Sequence, residues 1–423
     1  MNSSAVSRRG WPAVLVNASM LLYTLWLLLP AFQTTGRAAT GALAVGLFGL
    51  GVLLGGDSPR KLLTDFLPRL LLLAVLPLLL WRFLHRGGDN FWGYYAQQAM
   101  FWFPLLWCAY AREKGDRRMT RFVGAALLAA LAVTTLTTIG WLMEGLLRGG
   151  RVYAYSRSLG SGEPNREVYL KELMLRNIGG YDFIYASVVA FPVVCWATQR
   201  ARGWKRAGFI ALCAAQVVMI VLSQYTTAIL LTGVLAALEL IAALLRALRK
   251  GLSTGASLLW AAVPLLVLAL LREPLLQWAA DLCARIGFEN AGTSLGQLLA
   301  LINGQDVESA SRLESYLLPL QGFRQSPLVG AMFTGSPLLS QHSDLLDLLS
   351  GVGLLGTAAV LGAVWVMGRG GLRGLRSCPG KAQLTLAALA LLAVATLGTV
   401  VYSRDIALVF CLGGWLMTDE QAA

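Results

Sequence analysis

Apolar residues run through this chain in blocks long enough to cross a bilayer, separated mostly by short polar segments. A helix needs about 20 such residues to span the hydrocarbon core. Blocks of this kind lie near 11–32, 38–56, 66–84, 91–110, 121–146, 180–198, 206–222, 226–246, 254–271, 343–367, 382–401 and 405–418. The pattern predicts an all-α polytopic membrane protein of about 12 transmembrane helices, forming one membrane domain over residues 1–423. The last block is short, and Ser223 to Thr227 is only a brief polar break in a long apolar run. Arg8 and Arg9 precede a full-length apolar segment with no small-residue cleavage pattern, so the first span is expected to be retained.

Two polar stretches exceed the 12–15 residues of an ordinary connection. The first, 148–179, is predicted to be an external loop. The second, 272–341, is predicted to be a large, partly helical external loop between spans nine and ten. Helical pieces are expected over Pro274–Ile286 and Ser309–Phe323. The second stretch ends in SPLVGAMFTGSPLLSQHSDLLDLLSGVGLLGT, Ser326 to Thr357, around which the chain is organised. From His342 a helical face would run through Leu346, Leu349, Gly353 and Gly356, because eleven residues make about three turns. A small-xxx-small pair on that stripe predicts close approach of a neighbouring helix.

Charge tests this layout. With the N-terminus inside, basic residues fall in the inner segments: Arg8 and Arg9, Arg60 and Lys61, Arg112 to Arg121, Arg200 to Arg206, Arg246 to Lys250, and Arg369 to Lys381. Short outer connections hold little beyond Arg37, Arg86 and Arg404. The positive-inside rule therefore predicts two cytoplasmic termini. The same asymmetry accounts for the net charge of +13 without a nucleic-acid partner. At 57% hydrophobic and 13% charged, the chain lies far from the roughly 25% charged residues of soluble domains. The six cysteines show no ligand spacing, so neither a zinc site nor a disulfide framework is expected.

His342 is one of two histidines in the chain. It is either a polar tip in the headgroup zone or a functional group, and ionisable residues at spans tend to mark function. Asp344 and Asp347 follow it, either complementing the helix dipole or orienting the imidazole and binding an acceptor hydroxyl. Arg176, Arg312 and Arg324 lie in the two long loops. Arg312 has Glu308 and Glu314 close in sequence, as a surface ion pair would, and Arg176 suits a headgroup anchor. An arginine fork also matches phosphate oxygens. No G-x-x-x-x-G-K-[ST] phosphate-binding loop is present. One reaction fits arginines and a single histidine: transfer of a sugar from a lipid pyrophosphate to a hydroxyl. Its leaving group needs charge stabilisation, and its acceptor needs one base that works near neutral pH. Neither a metal nor any other cofactor is required.

The chain resembles the O-antigen ligase and O-antigen polymerase superfamily of bacterial membrane glycosyltransferases. His342-Ser343, nine residues and Gly353 match the ligase-type motif, continued by Gly356-Thr357. Ser326-Pro327-Leu-Val-Gly330 is similar to the family's Pro-Leu-Ile-Gly turn, and Ser311-Arg312-Leu313 to its loop arginine. The resemblance covers nearly the whole chain. It implies an undecaprenyl-pyrophosphate glycan donor at the outer face of the bacterial cytoplasmic membrane. His342 would be the catalytic base, with Arg312, Arg176 and Arg324 at the pyrophosphate or sugar. An acceptor glycan or lipid A core, the bilayer and a chain-length regulator protein would be its partners. Two positions depart from the family: Ser223-Gln224 stands where a Ser-Arg pair is common, and Met332 where a second glycine is. His342-Ser-Asp344-Leu-Leu-Asp347 and Ile178-Gly-Gly-Tyr181-Asp-Phe-Ile-Tyr185 are more similar to repeat-unit polymerases than to ligases. A ligase acting on lipid A core is the alternative. A flippase or carrier is a rival of another class, although carriers place their long loop inside and show paired halves.

Overall fold

In the computed structural model the described residues are 10–55, 103–104, 106–108, 110–111, 117–149, 166–248, 272–285, 288–303, 310–333, 342–375, 380–398 and 404–419. They are helical, with no strand among them. The helices are α1 (Trp11–Leu28), α2 (Pro30–Leu54), α3 (Arg117–Gly149), α4 (Arg166–Leu175), α5 (Tyr181–Arg200), α6 (Trp204–Ser223), α7 (Thr226–Leu248), α8 (Arg272–Arg285), α9 (Glu289–Ile302), α10 (Ala310–Gln325), α11 (Asp344–Leu375), α12 (Lys381–Leu397) and α13 (Arg404–Asp419). Among the described residues five segments are long and apolar enough to cross a membrane: Trp11–Leu28, Arg121–Arg148, Tyr181–Arg200, Trp204–Ser223 and Asp344–Gly362. Shorter apolar helices cover Ala39–Leu54, Thr226–Ala242, Lys381–Leu397 and Asp405–Met417. The blocks predicted at 66–84 and 254–271, and most of that at 91–110, lie outside the described residues. Leu43, Leu50, Leu53, Leu136, Leu240, Leu389 and Leu392 are exposed on these helices. Apolar surface on this scale suits lipid, not water.

The centre is α5. It is buried from Phe183 to Val194 without interruption, as expected of a helix that is apolar all round. Helices α6, α7, α12 and α13 pack on it. Pro192 sits inside α5 and removes one backbone donor; packing on every side holds the helix through it. Contacts along α5 set the direction of its neighbours. Tyr181, at its start, meets Tyr225, and Gln199, near its end, meets Glu239, so α7 runs parallel to α5. Gln383 bonds Gln199 while Gly398 lies beside Tyr181, so α12 runs antiparallel. One end of the bundle therefore gathers the starts of α5, α7 and α11 with the ends of α6 and α12.

Helix α3 contributes to that end in a different way. Its 33 residues make a rod about 50 Å long, against a hydrocarbon core of about 30 Å. Thr134, near its middle, donates to the Leu28 carbonyl at the end of α1 (2.6 Å). The turns beyond it stand past the end of α1. There Leu142 packs with Leu222 and with Phe288, which joins α8 to α9. Helices α8 and α10 correspond to the two pieces expected in the second long loop. Helix α9 was not anticipated. Its Gly292 lets the two helices approach: a Cβ there would lie 3.1 Å from the Ala280 carbonyl oxygen of α8.

The stripe expected from His342 to Gly356 is not continuous, because α11 breaks at Gly353 (φ 64°, ψ −168°). The break is filled by backbone from the Ser326–Gly330 turn, not by a neighbouring helix. The N–H groups of Leu354 and Leu355, freed by the break, donate to the carbonyls of Pro327 (2.9 Å) and Leu328 (3.0 Å). Gly330 also has a left-handed φ of 62°. A Cβ on Gly330 would lie 2.5 Å from the Gly353 nitrogen, and one on Gly353 would lie 2.5 Å from the Leu328 oxygen. Both glycines are thus required twice over, by conformation and by space. Left-handed backbone alone costs a non-glycine residue about 1–2 kcal/mol. Gly330→Ala and Gly353→Ala are expected to lower the Tm of the detergent-solubilised protein by at least that equivalent. Gly362→Ala, at a position with open space around its Cβ, should leave Tm unchanged or raised, and a thermal series on the three variants checks this.

Candidate functional site

The start of α11 is built by Ser343. Its Oγ accepts the Leu346 N–H (3.3 Å) and its carbonyl accepts the Asp347 N–H (2.9 Å), a helix cap formed by a small polar residue. His342, just before the cap, is exposed, whereas Ser343 and Ser350 are fully buried. Asp344 and Asp347 are each only 8% exposed. Carboxylates in the first turn of a helix are stabilised by its positive end, which offsets part of the desolvation. Burial goes beyond what dipole complementation alone would need, since that works from the surface. The Asp344 N–H donates to the Gly398 carbonyl (3.2 Å), fastening this helix start to the end of α12.

Gly398 leads directly to the next part. A Cβ on it would lie 3.7 Å from the Tyr181 hydroxyl. The Tyr181 ring lies 4.7 Å from that of Tyr185 and 5.2 Å, edge-on, from that of Tyr225, with Tyr185 and Tyr225 6.3 Å apart. Gln224 precedes Tyr225 in the break between α6 and α7, with a left-handed backbone (φ 56°, ψ 22°). It is 2% exposed. Neither atom of its amide has a hydrogen-bond partner among the described residues.

The turn that launches α5 is pinned to α3. Asn177 is left-handed (φ 59°). Its Nδ2 donates to Thr134 Oγ1 (3.0 Å), its carbonyl accepts from Thr137 Oγ1 (2.6 Å), and the Gly179 N–H donates to Thr138 Oγ1 (2.8 Å). Arg176 is exposed on this turn, with its guanidinium 5.4 Å from the centre of the Trp141 ring. That stacking has a protein partner, which a pure headgroup anchor would not need. Arg324 is exposed in the last turn of α10, two residues before the turn that fills the α11 break. Arg312 falls in the first turn of α10, and its side chain lies outside the described residues.

Of the residues singled out from sequence, His342, Asp344 and Asp347 lie on one helix start, and Arg324 is carried to that helix by the packing of α10 on α11. Arg176 is placed by a different clasp. The sequence reasoning did not single out Tyr225, Gly398 or the three threonines, and treated Gln224 only as a missing arginine. The signal available was the SQYTT break itself: an amide and an aromatic where two apolar helices need only a short turn. Among the described residues no group of three or more His, Cys, Asp or Glu side chains is arranged to hold a metal.

No protein family and no curated protein matches this chain.

The Asn177 clasp gives a test of how the turn is held. Asn177→Gly removes the side-chain bonds but keeps the left-handed backbone, whereas Asn177→Ala loses both. Tm should fall in the order wild type, Asn177→Gly, Asn177→Ala, with the last about 1–3 kcal/mol below wild type. A thermal melt of the three proteins reads the order directly.

Proposed function

We propose that this protein is a membrane glycosyltransferase. It moves a glycan from an undecaprenyl-pyrophosphate donor to a sugar hydroxyl and in doing so polymerises O-antigen or capsular repeat units. The observation that carries the reading is the clasp of the Ser326–Gly330 turn in the break of α11. It binds the loop helix bearing Arg312 and Arg324 to the helix that begins beside His342. This connection supports a site that combines a base with cations.

In the proposed reaction His342 takes the proton of the acceptor hydroxyl as its oxygen bonds to the anomeric carbon. The bond from that carbon to the pyrophosphate oxygen breaks, and the electron pair leaves with the pyrophosphate. Arginines balance the charge that develops there; fixed donors of this type act without reorganising. The buried Asp344 fixes the position of the helix start through its N–H bond to Gly398. Twelve spans, cytoplasmic termini and an active site on the outer face of the bacterial cytoplasmic membrane complete the proposal. Directions among the described helices support this order: α5, α7 and α11 start at the His342 end, and α6 and α12 finish there.

The test is reconstitution in liposomes with a short lipid-pyrophosphate oligosaccharide, without nucleotide or added metal. Products are sized and their reducing ends identified. A ladder still on lipid pyrophosphate is expected for wild type, reduced at least about 10²-fold in His342→Ala and retained in Gly362→Ala. A ladder undiminished in His342→Ala overturns the base assignment. Transfer only after addition of lipid A core makes the protein a ligase. Movement of intact lipid-linked glycan across the bilayer with no product makes it a transporter.

A further inference from the structure

The break between α6 and α7 contains a residue whose conformation and surroundings both oppose stability. Gln224 holds a left-handed backbone that most side chains avoid, and it caps α6 through its N–H to the Val221 carbonyl (3.1 Å). Its amide is buried, and neither the oxygen nor the nitrogen is matched among the described residues. A buried polar group without a partner typically costs about 1–3 kcal/mol. Such costs cluster where a ligand relieves them.

The neighbourhood shows what kind of ligand. Tyr225 follows Gln224 in the chain and joins Tyr181 and Tyr185 in the aromatic cluster. The rings and, at the preceding residue of the same break, the amide are the two kinds of group that a pyranose uses: apolar C–H faces meet rings, and hydroxyls meet an amide donor and acceptor. Pockets with an apolar lining and a few fixed polar groups are the general form of such sites. None of the side chains of Gln224, Tyr225, Tyr181 and Tyr185 carries a positive charge, so they offer no ionic partner to a phosphate. The Arg176 guanidinium lies over the Trp141 ring, and Arg324 lies in the last turn of α10.

We propose that Gln224, Tyr225, Tyr181 and Tyr185 form a subsite for a neutral sugar ring, distinct from the place where phosphate is held. The proposal rests on the glycosyltransferase reading and specifies which part of the lipid-linked substrate this end of the bundle recognises. Gln224 is a sugar-binding residue there, donating from Nε2 and accepting at Oε1.

The experiment measures equilibrium binding to the full-length protein in nanodiscs. The probes are bare undecaprenyl pyrophosphate and the same lipid bearing one glucose, one N-acetylglucosamine or one N-acetylgalactosamine. The variants are Gln224→Gly, which keeps the left-handed backbone available, and Tyr225→Leu. Wild type is expected to bind at least one sugar-bearing lipid about tenfold more tightly than the bare lipid, the worth of one or two hydrogen bonds. Gln224→Gly should lose that preference, keep its affinity for the bare lipid, and melt no lower than wild type, because strain and an unmatched amide are both removed. Tyr225→Leu should weaken the preference in the same direction. Equal weakening of bare and sugar-bearing lipid in Gln224→Gly would mean that the subsite holds phosphate, overturning the proposal. So would a preference that survives in both variants, or wild type binding all four lipids alike. Failure of wild type to bind any of the lipids would instead remove the glycosyltransferase reading on which the subsite stands.

Discussion

The contact between the backbones of Gly330 and Gly353 is the constraint on which the rest of the site depends. A break in an apolar helix leaves N–H groups that lipid does not satisfy, at several kcal/mol each. Here the unmatched donors on Leu354 and Leu355 are met by carbonyls from the Ser326–Gly330 turn. The approach is too close for any side chain at either glycine. The consequence is mechanical. The turn and the helix cannot separate without exposing those donors, so α10 moves with α11. A surface loop would ordinarily set its own position; this one takes the position of a membrane helix.

A second fixed point lies at the end of the bundle where α5 begins. The Asn177 turn is held by three threonines of α3, and the turn in turn starts α5, the most buried helix. Near Gly398 the start of α5 approaches the start of α11: Gly398 receives the Asp344 N–H and borders Tyr181. Three separate stretches of chain thus share one level. Hydrogen bonds at helix ends do the aligning, and apolar packing along α5 holds them in place. Because each is a backbone or short side-chain contact, little rotamer freedom remains to be lost when a substrate arrives.

How much of this was legible in the sequence follows from which forces act locally. Apolar blocks marked the described spans because lipid-facing and core-facing residues are both apolar, so block length alone carries the signal. The break in α11 was hidden because Gly353 and Gly356 satisfy a helical stripe and a small-xxx-small pattern equally well. What distinguishes the two outcomes is Gly330, 23 residues earlier and joined to Gly353 only in the fold. Helix α9 was masked by Gly292, which lowers helix propensity for a reason, the crossing with α8, that is not local either. Asp344 and Asp347 were readable as acids at a helix start, but their burial depends on α12. Gln224 looked like the loss of a charge; only its enclosure shows a polar group kept without a partner.

Those differences in burial divide the end of the bundle by charge. Arg176 is exposed at its edge, over an indole, and Arg324 is exposed in the last turn of α10. The carboxylates of Asp344 and Asp347 and the amide of Gln224 are enclosed. Burying a cation would add a desolvation cost that an arginine at the rim avoids, whereas an amide or a dipole-stabilised carboxylate tolerates enclosure at lower cost. A lipid-linked glycan has the same division, with an anionic pyrophosphate near the headgroups and neutral rings beyond it. In the proposed reaction the bond that breaks lies where those two parts of the substrate join. The exposed imidazole of His342, one residue before the enclosed start of α11, stands at the corresponding boundary in the protein.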